Sequence, residues 1–163
     1  MNYHNITTDD MLNGSGLRVV LWTSGCEHRC NGCHNPQTWD RDSGIKFDSN
    51  AWNEVLALLE KPYISGITYS GGDPLFPANR SIITSMAKTI HQLYPDKTQW
   101  LYTGYNYEDI KDLEIMKYID VLVDGEYIDS LRDTSLPFRG SSNQRLIDVQ
   151  KSLKENKVVL HNT

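Results

Sequence analysis

"LRVVLWTSGCEHRCNGCHN" spans Leu17 to Asn35. Its first half is an apolar run closed by Ser24-Gly25, the pattern of a buried strand running into a loop. Its second half holds Cys26, Cys30 and Cys33, all the cysteines of a 163-residue chain, within eight positions. A strand thus delivers a set of thiols at its carboxyl end, and the rest of the chain repeats the same strand-to-loop step.

Asp48, Ser49 and Asn50 can cap a helix, and Trp52, Val55, Leu56 and Leu59 follow at i, i+3, i+4 and i+7. Pro62 closes that helix's neighbourhood. A second cycle begins with "ISGITYSGGDP" (Ile64 to Pro74), strand-like up to its glycine pair. The next helix starts at about Asn79, carries Ile82, Ile83, Met86, Ile90 and Leu93 on one side, and stops before Pro95. The third cycle is "TQWLYTG" (Thr98 to Gly104) and a helix bearing Tyr107, Ile110, Leu113 and Met116. A fourth strand is "IDVLVDGEY" (Ile119 to Tyr127).

Beyond it, "IDSLRDTSLPFRGSS" is polar, is punctuated by Pro137 and Gly140, and reads as a long loop. "NQRLIDVQKSLKENK" fits either one helix or a short strand "RLIDV" followed by a helix. "VVLH" is a candidate last strand. Internal repeats, low-complexity segments and linkers are absent from the sequence.

Strand and helix alternating four times predict right-handed βαβ units and a parallel sheet. A complete eight-fold barrel takes about 250 residues, so an α/β chain of this length builds part of one, or an open doubly wound sheet. One domain over residues 1–163 is expected, with a less defined tail after about 149. Both architectures bind ligands at the carboxyl ends of the strands. The cysteines, Gly71-Gly72-Asp73, Thr103-Gly104 and Asp124-Gly125 all follow strands and should meet on that edge.

Hydrophobic residues make up 39% of the chain and charged residues 23%, which excludes a disordered or membrane class. No apolar run approaches the roughly 20 residues that cross a bilayer, and "MNYHNITTDD" lacks a signal-peptide core. A cytoplasmic protein with no membrane association is expected. The net charge of −5 and the lack of a lysine or arginine cluster exclude nucleic acid as a natural partner.

Three closely spaced cysteines cannot bridge distant segments, so they read as a metal site. A zinc-stabilised Cys3His binding module is one possibility, with His28 or His34 as fourth ligand. Zinc knuckles, however, usually pair two thiols across two residues and take the other ligands from a second segment. The alternative is a [4Fe-4S] cluster on three thiolates; an electron carrier wants four, and an open iron points to chemistry.

Cys26-Glu27-His28-Arg29-Cys30-Asn31-Gly32-Cys33 resembles the cluster loop of radical S-adenosylmethionine enzymes. "NGSGLR" (Asn13 to Arg18), "CHNPQTWD" (Cys33 to Asp40), "SGGDPL" (Ser70 to Leu75), "YTGY" (Tyr102 to Tyr105), "VLVDGEY" (Val121 to Tyr127) and "RGSSNQR" (Arg139 to Arg145) resemble the glycyl-radical enzyme activases within that superfamily. The likeness runs from near the first residue to about Val149. It is greatest to the branch that acts on anaerobic ribonucleoside-triphosphate reductase.

The resemblance implies a partial β/α barrel of the radical S-adenosylmethionine type. It makes Cys26, Cys30 and Cys33 ligands of three irons, with S-adenosylmethionine on the fourth. Reductive cleavage would give methionine and a 5′-deoxyadenosyl radical, which takes a glycine α-hydrogen from the reductase large subunit. A flavodoxin-type protein would supply the electron. Another glycyl-radical partner is the alternative target. Gly32 stands where many members carry an aromatic residue, so main-chain contacts from Gly32, Cys33 and His34 would read the adenine. Gly71, Gly72 and Asp73 match the family's Gly-Gly-Glu motif with a shorter acid, suited to the cofactor's ammonium.

The plainer readings stand beside these. "GGDP" taken alone is a turn, and Thr103 and Asp124 are strand-end residues that either line the pocket or merely turn the chain. His28 either tunes the cluster or is a water-exposed loop residue; His34 matters through its main chain. His4, His91 and His161 are surface or packing residues. Trp22 and Trp39 are core aromatics. The charges of "QKSLKENK" form a solvated helix face.

Overall fold

Alternation of side chains along the strands sorts the molecule into two faces. The computed structural model describes residues 1–162. Its strands are β1 (Asn2–Asp10), β2 (Leu17–Thr23), β3 (Ile45–Lys46), β4 (Ile64–Gly71), β5 (Thr98–Tyr102), β6 (Val121–Asp124) and β7 (Arg145–Asp148); its helices are α1 (Ser49–Leu59), α2 (Arg80–Leu93), α3 (Tyr107–Ile110) and α4 (Val149–Glu155). One sheet runs in the order β3-β1-β2-β4-β5-β6-β7. The four central strands β2, β4, β5 and β6 are parallel, and β1, β3 and β7 pair antiparallel at the flanks.

Val19, Leu21, Ile67, Tyr69, Leu101 and Leu122 point to one face, where Val55 and Leu59 of α1 and Ile83, Met86 and Ile90 of α2 cover them. The Asp48 carboxylate caps α1 by accepting from Ala51 N at 3.0 Å. Strand order among β2, β4, β5 and β6 never reverses, and α1 and α2 pack on the same face, so the sheet lacks the switch point of a doubly wound fold. The fold is α/β, as expected.

The opposite face carries Arg18, Thr68, Trp100, Val121 and Val123, and among the described residues no helix lies on it. Loops and single side chains cover it instead. Phe138 and His161 pack edge-on to Trp100 at 5.2 and 5.4 Å, and Thr68 Oγ1 donates to Asn13 O at 2.6 Å.

Three expectations change. The polar amino terminus forms a nine-residue strand, β1, because pairing with β2 satisfies its backbone while only Tyr3 is buried. The helix expected over Tyr107 to Met116 stops at Ile110 and resumes as a 3-10 turn over Glu114–Lys117. Leu113 is extended there, at φ −66° and ψ 140°, which lets the adjacent Ile115 and Met116 both turn inward. After the long loop the strand-then-helix option is realised as β7 and α4, whereas "VVLH" makes only a bridge from Leu160 to Ile147.

Candidate metal and cofactor site

The carboxyl ends of β2, β4, β5 and β6 open onto a cavity of about 750 Å³. Cys26, Cys30, Cys33, Gly71, Gly72, Asp73, Thr103, Gly104 and Gly125 all line it, so the strand-end features meet there. The cysteine loop leaves β2 and returns beside its own start: Gly25 N donates to Thr38 O at 2.7 Å and Cys26 N to Trp39 O at 3.0 Å. Between these points the three thiols are free and half-buried. Asn35 N donates to Cys33 Sγ at 3.4 Å. Burial pushes the Cys26 thiol up to about 11 and raises Cys30 as well, so a bound cation is what would hold them as thiolates.

The glycine pair owes its identity to the chain's own packing. Gly71 has φ 103°, and a Cβ there would lie 2.4 Å from Thr23 N; one on Gly72 would lie 2.5 Å from Gly25 O. Gly72 N donates to Thr23 O at 2.9 Å and Asp73 N to Gly25 O at 2.7 Å. The turn after β4 is therefore stitched to the first residues of the cysteine loop.

Asp73 is buried, and its carboxylate meets four donors. Leu75 N, Thr103 Oγ1 and Gly104 N each lie 2.9 Å away, and His28 Nε2 lies 2.6 Å away. The other His28 nitrogen, Nδ1, sits 3.0 Å from Glu126. The Asp73 hydrogen bond, opposed by burial, raises the pKa of His28 above its usual value. The Tyr105 ring packs edge-on to His28 at 4.6 Å, and the Tyr105 hydroxyl donates to Glu27. Only 8% of the His28 side chain is exposed, so the water-exposed reading is wrong: a partner 45 residues away in sequence buries it.

Other expected residues are placed differently. Gly32 is exposed and lies off the cavity wall, with Asp129 so close that a Cβ would sit 2.7 Å from its Oδ1. His34 lines the cavity mouth against Tyr127, ring centroids 5.4 Å apart. Asp124 accepts from Tyr107 N at 2.8 Å and pairs with Arg145, which joins α3 and β7 and keeps it off the cavity wall. Tyr102, Phe138 and Arg139 also line the cavity; Tyr102 and Arg139 belong to segments that carry the family resemblance without being singled out as site residues, and nothing local distinguishes Phe138 from a packing residue.

The donor set suits an iron-sulfur cluster better than one zinc ion. Both nitrogens of His28 are engaged by carboxylates, which removes it as a fourth zinc ligand. Among the described residues, no three His, Cys, Asp or Glu side chains are grouped to hold a single metal ion, whereas a four-iron cluster asks each thiolate for a different iron.

Comparison with known proteins agrees with this donor set. Residues 12–147 match the family model described as a 4Fe-4S single cluster domain. An anaerobic ribonucleoside-triphosphate reductase-activating protein of Enterobacteria phage T4 is 47% identical over 146 residues, covering 90% of this chain and 93% of that protein. Proteins of the same name from Vibrio cholerae and Escherichia coli are each 40% identical over 148 residues, covering 88% of this chain and 96% of theirs. The chain accordingly belongs to the 4Fe-4S single cluster family, within the group of anaerobic ribonucleoside-triphosphate reductase-activating proteins.

Proposed function

We propose that this chain is a radical S-adenosylmethionine activase that generates a glycyl radical on the large subunit of anaerobic ribonucleoside-triphosphate reductase. The observation that carries the reading is the pairing of three thiols, with no fourth, and a cavity of about 750 Å³ at the same strand ends. Small-molecule sites span roughly 300–1,000 Å³, so the space suits a nucleoside cofactor together with part of a partner. When bound and reduced, the cluster and S-adenosylmethionine together supply one-electron cleavage of the sulfonium bond to the ribose 5′ carbon.

The chain's own residues do the positioning. Cys26, Cys30 and Cys33 would hold the cluster. Cys33 and His34 line the cavity, and their main chain, with that of the adjoining Gly32, would contact the adenine. Gly71 and Gly72 bring main chain to the cavity wall, and Asp73 fixes that wall's shape. A sheet wound in one direction, with helices on one face only, suits a partial barrel whose unclosed side admits a peptide loop. No helix among the described residues is long and apolar enough to cross a membrane. A cytoplasmic location and a flavodoxin-type reductant complete the reading.

The test is anaerobic: reconstitute with iron and sulfide, reduce, and add S-adenosylmethionine and the candidate reductase. Expected are 5′-deoxyadenosine and a glycyl radical signal in electron paramagnetic resonance. Cofactor cleavage without that signal would move the proposal to another glycyl-radical partner. One tight zinc and no cleavage would end it.

A further inference from the structure

The acid of the Gly71-Gly72-Asp73 turn occupies the place where a carboxylate would be offered to an ammonium group, yet it has nothing left to offer. An ionised carboxylate has about four lone-pair sites, and Asp73 meets Leu75 N, Thr103 Oγ1, Gly104 N and His28 Nε2, four donors from its own chain. Only 1% of it is exposed. A cationic ligand would have to expel one of these donors.

His28 lies midway between Cys26 and Cys30, and its ring is the loop's only side chain reaching both the turn after β4 and the segment after β6. Gly104 makes room for it: a Cβ there would sit 2.5 Å from His28 Cδ2, although the backbone at Gly104 is unstrained. The imidazole is thus wedged between Asp73, Gly104, Tyr105 and Glu126.

We infer that Asp73 is a positioning residue acting through His28, clamping the cysteine loop to the ends of β4 and β5, and that it is not the ligand of the cofactor's ammonium. The clamp fixes the distance between the first two thiols and the cavity wall. Loss of either partner lets the loop move away from that wall. The inference rests on the proposed function for the identity of the cofactor, and on the cluster alone for its main readout.

The experiment compares wild-type holoprotein with Asp73→Asn, His28→Leu, the double variant and His28→Gln. Two quantities are read: the anaerobic rate of iron release to a chelator, and the Kd for S-adenosylmethionine by equilibrium dialysis. Each of Asp73→Asn and His28→Leu should speed iron release about tenfold, the loss expected for one hydrogen bond to a charged group. The double variant should be no faster than the singles, because both remove the same contact. His28→Gln, whose amide can still donate to Asp73, should return iron release to within about threefold of wild type, a rescue that loss of bulk alone does not predict. Cofactor Kd should change less than about threefold in variants that retain the cluster.

The inference is overturned if Asp73→Asn weakens cofactor binding while iron release stays normal, if the two single effects add, or if His28→Gln behaves like His28→Leu. Iron release is measured without cofactor. A wild-type protein that never binds S-adenosylmethionine would therefore count against the proposed function and leave the clamp comparison intact.

Discussion

The two ends of the parallel strands each bury a charge, and they hold it in different ways. At the amino end, Arg18 is fully buried and its five N–H groups donate to Thr68 Oγ1, Thr98 Oγ1, Ser15 O, Ile67 O and Thr98 O at 2.7–3.1 Å. Burial lowers its pKa to about 10, so it remains a cation at neutral pH. Four of those acceptors belong to β4 and β5 themselves. At the carboxyl end, Asp73 is just as buried, but three of its donors come from loops that follow β2 and β5. A charge tied to the strand framework seals its end of the sheet. A charge tied to loops leaves an end whose shape depends on what those loops carry, and that is the end with the cavity.

Removing the thiols separates the two ends most sharply. Alanine at Cys26, Cys30 or Cys33 should abolish cluster assembly, seen as loss of iron content and of the visible absorption, because the chain has no spare cysteine. Thermal melting of the apoprotein should barely change, since all three thiols lie outside the core. An unfolded variant would show that the cysteine loop belongs to the framework after all.

Arg18→Ala tests the opposite end. It should lower unfolding free energy by about 3 kcal/mol in denaturant titration of the apoprotein, from the cavity left and the acceptors stranded. Cluster content in the remaining folded fraction should be normal. Selective loss of the cluster would break the division between a sealed end and a working one.

Gly104→Ala asks how tightly the working end is built. The added Cβ collides with His28 and with no strained backbone, so iron release should rise about fivefold while stability falls by no more than about 1 kcal/mol. Normal iron retention would mean that the imidazole can move without consequence. The smallest effect is expected from Asn79→Ala. Its side-chain amide donates to Ser24 O at 2.8 Å beneath the start of the cysteine loop, and its loss should reduce stability by about 0.5–1 kcal/mol. A larger effect would make α2 part of the site's scaffold.

What the sequence disclosed follows from how local each signal is. β2, β4, β5 and β6 were legible because each is an apolar run ended by a turn residue, and α1 and α2 because their buried positions recur at helical spacing. From those runs alone, the convergence of cysteines, glycine pair and Thr103 on one edge could be foreseen. β1 was hidden because eight of its nine residues are not buried, so its pairing with β2 leaves no hydrophobic pattern. The early end of α3 depends on Ile115 and Met116 both facing inward, a tertiary demand. Arg18 did leave a trace, a charge inside an apolar strand, but its acceptors lie up to 80 residues away. His28 left none: nothing in "CEHRC" distinguishes a wedged imidazole from a solvated one. Asp124 stays open in the sequence for a related reason, since its partner Arg145 comes from a strand that the sequence leaves ambiguous.

The contacts that shape the cysteine loop are among the longest in the chain: His28 reaches Asp73 across 45 residues and Glu126 across 98, and Glu27 reaches Tyr105 across 78. During synthesis the thiols emerge before these partners, and Glu126 is translated 98 residues after His28. In zinc fingers the metal drives folding of an otherwise unstructured chain. Here the partners of the cysteine loop follow β4, β5 and β6, so a fixed spacing of the three thiols would require a largely complete sheet. Metal delivery to a nascent or truncated chain would therefore meet three thiols on a tether, and only the finished fold presents them as one receptor.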